Sequence, residues 1–457
     1  MTSFPTIVKI ETFIPATDGD GKPHCELPDT KCGVSTPMSG WEKYRENRTS
    51  FGIDVLGSLV CIITASDGTQ GVATGFGGPP ACWLIENHFA RFVVGADPRD
   101  TNLMWEQMFK ASTYYGRKGL PVAAISVVDL AIWDLLGKIR REPVYKMIGG
   151  RVKDGKIPFY LTGPEPTHAR RMGFWGAKVA LPYSPKDGFN FVRRNFDFLK
   201  AHRQDLGDDF PLMVDCWMSL DVQSAIELAQ ACIDEKVKIN WFEEVLHPDD
   251  FDGHKLLKQR MPQVKWTTGE HEYSRYGWVS LPFLPRNHSN PALTPHARCS
   301  FRKLIEDRSV DILQPDVMWL GGLTELLKVS AQAAAYDIPV IPHGSGPYSC
   351  HYIMSQLTAS PSSADIANSA DDKSIAAVFG NLFLNEPVPH GGSIDVSDAP
   401  GFGLELNPAC TLLPSSHFLA PNPEVGLSHT EEEVLVQKAA QKLARINGSA
   451  KTNGVKH

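Results

Sequence analysis

The stretch PLMVDCW, residues 211–217, places an ionisable acid, Asp215, at the end of an apolar run that reads as a buried strand. An unpaired carboxylate is costly to desolvate there, so the mouth of the strand must hold partners for it. Outward from this run lie IPFYLTG, WGAKVAL, INWFEEV, KWTTGE, VDILQPD and IPVIPHG, short apolar stretches that alternate with helical segments from about residue 157 onward. That alternation is the pattern of βα units around a parallel sheet. Five of the runs end in an acid or a histidine: Asp215, Glu243, Glu270, Asp316 and His343. The steps between them are 28, 27, 46 and 27 residues, and three of the four match one βα repeat. Strand ends recurring at that period converge at the C-terminal rim of a barrel, where such folds place their chemistry. A lone acid at a strand end is more often a helix N-cap or half of a salt bridge. Three acids in register, followed by an Asp and a His in the same register, are not explained that way.

Asp215, Glu243 and Glu270 supply hard anionic oxygens from adjacent strands, a donor set that suits octahedral Mg2+ with water or substrate in the remaining places. A metal held so is a Lewis acid, able to stabilise the charge that develops when a carboxylate substrate loses its α-proton. The proton needs a base. His343 in PHGSG is the candidate, and Asp316 in QPD would hold its other ring nitrogen, fixing the tautomer and raising its basicity.

At 457 residues the chain exceeds what one core usually serves, so a large barrel plus a smaller domain is expected. Residues 1–150 mix strand-like runs with helical stretches such as PVAAISVVDLAIWDLLGKI and read as an α+β domain. That helix is apolar nearly all round, with Asp129 and Asp134 its only acids, which implies packing between other elements. A formal net charge of -7 gives no pull toward nucleic acid. Nine cysteines, an odd number with no Cys-x-x-Cys pair, read as reduced thiols. The start MTSFPTIVKIETF carries no signal-peptide pattern, and no later run is apolar over the length that spans a bilayer, so a cytoplasmic protein without membrane contact is expected. Near the end, Thr430 and Glu433 form a capping box before Leu435, Ala439, Leu443 and Ile446 on one face. This reads as a terminal helix for packing or subunit contact, and a homo-oligomer is expected.

The step of 46 residues stands out. Residues 279–300 carry four prolines, Pro282, Pro285, Pro291 and Pro295, and so cannot continue the helix that should follow Glu270. Removing them restores a step of 24 and joins GEHEYSRYGW to FRKLIEDRSVDILQPD, with Phe301, Leu304 and Ile305 at helical spacing. The stretch is either a retained intron in the gene reading or a real surface loop, which folds tolerate; both readings keep it exposed and away from the metal ligands.

The residues AISVVDLAIWDLLGK, MVDCWMS, WFEEV, TTGEH, LQPDVMWLGGLTEL and VIPHGSGPYS resemble the enolase superfamily, mandelate racemase subgroup, and within it the L-rhamnonate dehydratases. The resemblance runs from about Thr36 to about Leu406. It implies a (β/α)7β modified TIM barrel over residues 151–390, an α+β capping domain over 1–150, a return to the capping domain over 391–420, and a C-terminal helix and tail over 421–457. It implies Mg2+ on Asp215, Glu243 and Glu270. His343, tuned by Asp316, would remove the C2 proton of an aldonic acid and help expel the C3 hydroxyl, giving a 2-keto-3-deoxy sugar acid. Arg48 in ENRTSFG and His24 in GKPHCEL match substrate-binding positions of the capping domain, and His271 faces the pocket in the family. Lys178 lies where relatives carry a Lys-x-Lys pair, and Ala180 in place of the second lysine disfavours racemisation. The family's glutamate on the eighth strand falls at Ala364 here, with Asp365 beside it as a substitute. That departure sets two readings against each other: an active dehydratase for L-rhamnonate or another aldonate, and an impaired homologue that binds Mg2+ and acid sugars without efficient turnover.

Overall fold

Runs rich in β-branched residues, IVKIETFIP, SLVCIITA and QGVATGF, form an antiparallel meander of β1 (Ile7–Pro15), β2 (Ser58–Ala65) and β3 (Gln70–Phe76). Ile10 opposes Ile63 in the first pair, and Val60 opposes Thr74 in the second. The computed structural model describes residues 4–16, 34–45, 51–52, 55–152, 156–276, 300–344, 346–356, 375 and 377–415, together with the backbone of 362–365. The fold belongs to one compact unit, Met1–Leu413. The expected terminal helix over 421–457 and nearly all of 279–300 lie outside the described residues.

Across the meander runs the helix Leu120–Arg140. Pro121 presets its first turn, and Arg141 ends it in the left-handed region at φ 58°. The helix is long and apolar enough to cross a membrane, which corrects the reading that no run has that length, but 83% of its apolar window is buried inside the protein. It is a core helix. It packs tightly on β3, where a Cβ added to Gly71 would stand 2.2 Å from the Ala131 carbonyl oxygen and 2.5 Å from the Leu135 amide nitrogen. Both obstacles are backbone and cannot swing aside. Gly71→Ala is expected to destabilise the fold by about 3 kcal/mol, at the upper end for overpacked cores. Gly163→Ala, with nothing within 4 Å of the new methyl, should stay within about 0.5 kcal/mol of the parent; urea unfolding of the two variants checks the pair.

The second layer is parallel. The strands β4 (Ile157–Thr162), β5 (Gly176–Ala180), β6 (Leu212–Asp215), β7 (Phe242–Glu243), β8 (Trp266–Thr268) and β9 (Ile312–Leu313) pair in sequence order. Leu313 adds a parallel bridge to Val340, the seventh position. The eighth strand, β10 (Ser362–Asp365), lies beside β4 with Ala364 opposite Leu161 and Asp365 opposite Thr162. Last beside first is the neighbour relation of a barrel, although no ladder joins Val340 to β10 among the described residues. Six of the seven runs picked out of the sequence are strands of this sheet, and the seventh, IPVIPHG, meets it through the single Val340 bridge. Between the parallel strands and their helices sits a core that includes Val214, Phe242, Leu228, Leu257 and Trp266.

The expected helix at Phe301 is present as Phe301–Glu306, with Phe301, Leu304 and Ile305 buried. The described chain stops at Tyr276 and resumes at Ser300, whose Oγ donates to the Arg275 carbonyl at 3.1 Å. The two ends of the intervening stretch therefore meet.

Candidate active site

Parallel pairing sets the site. Asp215 and Glu243 are direct partners in the β6–β7 ladder, so both side chains leave the same face at the same height. Ala180 is the partner of Asp215 on β5, and Lys178, two residues earlier, shares its face one pleat deeper. The Lys178 ammonium is buried between the two acids, hydrogen-bonded to Glu243 and 3.4 Å from Asp215 Oδ2. The other Glu243 oxygen accepts from Gln314 Nε2 at 2.8 Å and Trp241 Nε1 at 3.1 Å. Asp215 Oδ1 accepts from the Trp217 amide at 3.0 Å, closing the turn after β6.

Left-handed backbone clusters here. Trp217 at φ 47°, Met218 at φ 55° and Glu244 at φ 46° follow directly on β6 and β7. Each non-glycine residue in that region costs about 1–3 kcal/mol, and such strain gathers at functional sites. Met218 N to Glu244 O and Glu244 N to Thr267 O are among the backbone bonds that hold the turns in place.

Glu270 lies two residues beyond β8. Its Oε2 is buried and makes no hydrogen bond among the described residues, while His343 Nε2 stands 3.5 Å away. His343 Nδ1 lies 2.9 Å from Asp316 Oδ2, and Asp316 Oδ1 accepts from the Met318 amide at 2.7 Å. Nδ1–H donates to the Asp316 carboxylate, and Nε2 faces Glu270. His271 Nδ1 sits 3.0 Å from Glu244 Oε2 and 3.6 Å from Glu270 Oε1.

The charges reflect a surplus of acid. Burial first, then the neighbouring Glu243, lifts Asp215 to about 6 against the pull of Lys178. Burial lifts Glu270 to about 7, opposed by His343 and His271. Burial pushes His343 down, but Glu270 and Asp316 outweigh it and raise the imidazole to about 10. Burial likewise opposes the Glu244 partnership that raises His271 to about 9. Glu244, although buried, is brought down to about 2 by His271, Thr268 and the Gly269 amide.

The sequence expectations meet this arrangement unevenly. Asp215, Glu243, Glu270, Asp316, His343, His271 and Lys178 come together on one rim. Arg48 and His24 lie outside the described residues, and Asp365 is placed by its backbone alone. Glu244, Gln314 and Trp241 were missed; period two along the strand would have put Gln314 with Asp316 and Trp241 with Glu243. No three of the described Asp, Glu, His and Cys side chains converge as a ready ligand cluster, and Lys178 stands between the first two acids. The donor set nonetheless fits a divalent cation: three carboxylates on consecutive strand ends, two of them lifted toward protonation, and a buried Glu270 oxygen without a hydrogen bond among the described residues.

A family profile for the enolase C-terminal domain-like fold matches residues 167–281 and 295–410, and one for the mandelate racemase / muconate lactonizing enzyme N-terminal domain matches residues 42–149. The chain belongs to this enolase-superfamily group. The two matched segments of the C-terminal profile skip 282–294, inside the stretch that breaks the βα period. Among members of the group, L-rhamnonate dehydratase of Saccharopolyspora erythraea is 44% identical over 380 residues, covering 83% of this chain and 90% of the relative. The crystal structure of L-rhamnonate dehydratase from Gibberella zeae is 54% identical with TM-score 0.80, covering 92% of this chain and 99% of that one. A structure of the Gibberella enzyme complexed with Mg superposes with TM-score 0.81 at 52% identity over the same shares.

Proposed function

We propose that this chain is a Mg2+-dependent hydro-lyase, an L-rhamnonate dehydratase, acting in the cytoplasm as a homo-oligomer. The observation that carries the chemistry is the His343–Asp316 pair, aimed by its Nδ1 bond so that Nε2 faces Glu270 beside Asp215 and Glu243. The substrate assignment is supported by the two dehydratase relatives, and the metal by the Mg complex of the Gibberella enzyme. Burial of Cys61, Cys82, Cys216, Cys232 and Cys350 as thiols outside any disulfide supports a reducing compartment.

Asp215, Glu243 and Glu270 would hold the cation, which would supply Lewis-acid stabilisation of charge developing on the substrate carboxylate. Glu270 is the largest charge raising His343, so neutralising it returns the imidazole toward its ordinary range. His343 Nε2 takes the proton from C2 as the C2–H bond breaks. The same nitrogen then returns that proton to the C3 hydroxyl, which leaves as water when the C3–O bond breaks. The resulting enol takes a solvent proton at C3, releases its C2 hydroxyl proton to solvent and becomes the 2-keto-3-deoxy acid. Asp316 keeps Nδ1–H fixed throughout, so only Nε2 exchanges protons. Arg48 and His24 bind substrate oxygens from the capping domain, Lys178 and Asp365 contribute from the barrel, and Glu244 keeps His271 directed at the pocket.

Purified protein incubated with Mg2+ and a panel of aldonic acids tests the reading. L-Rhamnonate is expected to give a 2-keto-3-deoxy product, lost on chelation and restored by Mg2+. Binding of L-rhamnonate and Mg2+ without product would favour the impaired homologue that the Ala364 departure raises; turnover of a different aldonate alone would replace the substrate.

A further inference from the structure

The loop that follows β9 is held from outside the barrel. Asp316 opens it with its own turn, through Met318 N to Oδ1 and the Trp319 and Leu320 amides to its carbonyl. Gly321 and Gly322 then take left-handed backbone at φ 116° and 84° before the helix Leu323–Ala334. A glycine pair ahead of a helix suggests an anion cradle, but its surroundings show another use. Ser126 Oγ, on the helix Leu120–Arg140, accepts from the Gly321 amide at 2.9 Å, and Trp105 Nε1 donates to the Gly321 carbonyl at 2.7 Å.

Gly322 occupies the N-cap position of Leu323–Ala334 and offers no capping side chain. Asp129, one turn beyond Ser126, supplies the cap instead, with Oδ2 accepting from the Thr324 amide at 2.9 Å. A side chain at either glycine would block the approach, since a Cβ on Gly322 would stand 2.4 Å from Asp129 Oδ2 and one on Gly321 would stand 3.0 Å from Trp105 Nε1. The glycine pair is therefore a docking point for the long helix. Ser126 and Asp129 are both buried, so water cannot replace these bonds.

We propose that Ser126 and Asp129 are positioning residues for the acid–base pair. By fixing Gly321 and Thr324 they fix the far end of the turn whose near end is Asp316, and so the direction in which His343 points. The inference rests on the reading of His343 and Asp316 as that pair. It assigns two buried polar side chains of a mostly apolar helix to catalysis at a distance, not to folding alone.

The test compares Ser126→Ala, Asp129→Ala and Asp129→Asn, alone and with Asp316→Asn, in the Mg2+-loaded full chain. Ser126→Ala is expected to lower kcat about three- to tenfold at unchanged KM, since small misplacements of reacting groups are costly in rate. Asp129→Ala should lose more, and Asp129→Asn, which keeps an acceptor for Thr324, should recover most of that loss. In the Asp316→Asn background Ser126→Ala should cost nothing further, because the bond acts through Asp316. A folded Ser126→Ala protein with parent kcat overturns the inference, as does an equal fractional loss in both backgrounds. If Asp129→Ala fails to fold, the Ser126→Ala cycle carries the test alone. Full activity in Asp316→Asn itself would instead remove the acid–base pair reading, a different failure.

Discussion

His343→Asn is expected to lower kcat for L-rhamnonate dehydration by about 10² to 10⁴, the usual worth of a positioned acid–base group, while Mg2+ binding persists. Asn offers no titratable nitrogen to take the C2 proton. It does offer an amide that can donate to Asp316 Oδ2, as His343 Nδ1 does, so the buried aspartate keeps a partner and the fold survives. His343 is not among the carboxylates that would hold the cation, and its removal takes a positive group from beside Glu270, which leaves cation affinity equal or stronger. Steady-state kinetics, calorimetric Mg2+ titration and deuterium exchange at C2 separate these effects. Exchange at C2 should vanish together with turnover; retention of most activity removes His343 from the role of base.

What was legible in the sequence was local or periodic. The strand ends at Asp215, Glu243, Glu270, Asp316 and His343 were readable because a parallel sheet repeats its chemistry once per βα unit, even where β7 and β9 shrink to two residues of ladder. The helix Leu120–Arg140 was readable from apolarity, but the partners of its acids were not. Asp129 reaches Thr324 across 195 residues of chain, and Asp134 accepts from the Val72 and Phe402 amides. Contacts of that span leave no periodic trace. Lys178 shows the same limit: a lysine on a strand gives no sign that its ammonium will stand between Asp215 and Glu243. Glu244 was passed over because its neighbour Glu243 matched the ligand position, and adjacent residues on a strand face opposite ways. Its backbone at φ 46° and its hold on His271 appear only in three dimensions.

Glu270→Gln should abolish Mg2+-dependent turnover and, in the metal-free protein, raise stability near pH 8. The variant keeps the side-chain volume and removes one of three carboxylates from the donor set, so the stabilisation that excess Mg2+ gives the parent, about 2.7 kcal/mol at a hundred times Kd, should largely disappear. Metal-free stability moves the other way. Glu270 stands above its unfolded value, from 4.5 to about 7, chiefly through burial and against the pull of His343 and His271. The folded protein therefore holds this proton more tightly than the unfolded chain does. The cost of ionising it is absent below about pH 4.5, grows as pH rises, and is complete above about pH 7. Gln carries no such cost, so parent and variant should differ most at pH 8 and least at pH 4, with the variant the more stable at the higher pH. Thermal melts at both pH values, with chelator and with excess Mg2+, measure the four quantities. A parent that stays the more stable without metal at pH 8 would mean that the Glu270–His343 attraction outweighs burial, and a variant that keeps its Mg2+ shift would take Glu270 out of the metal site.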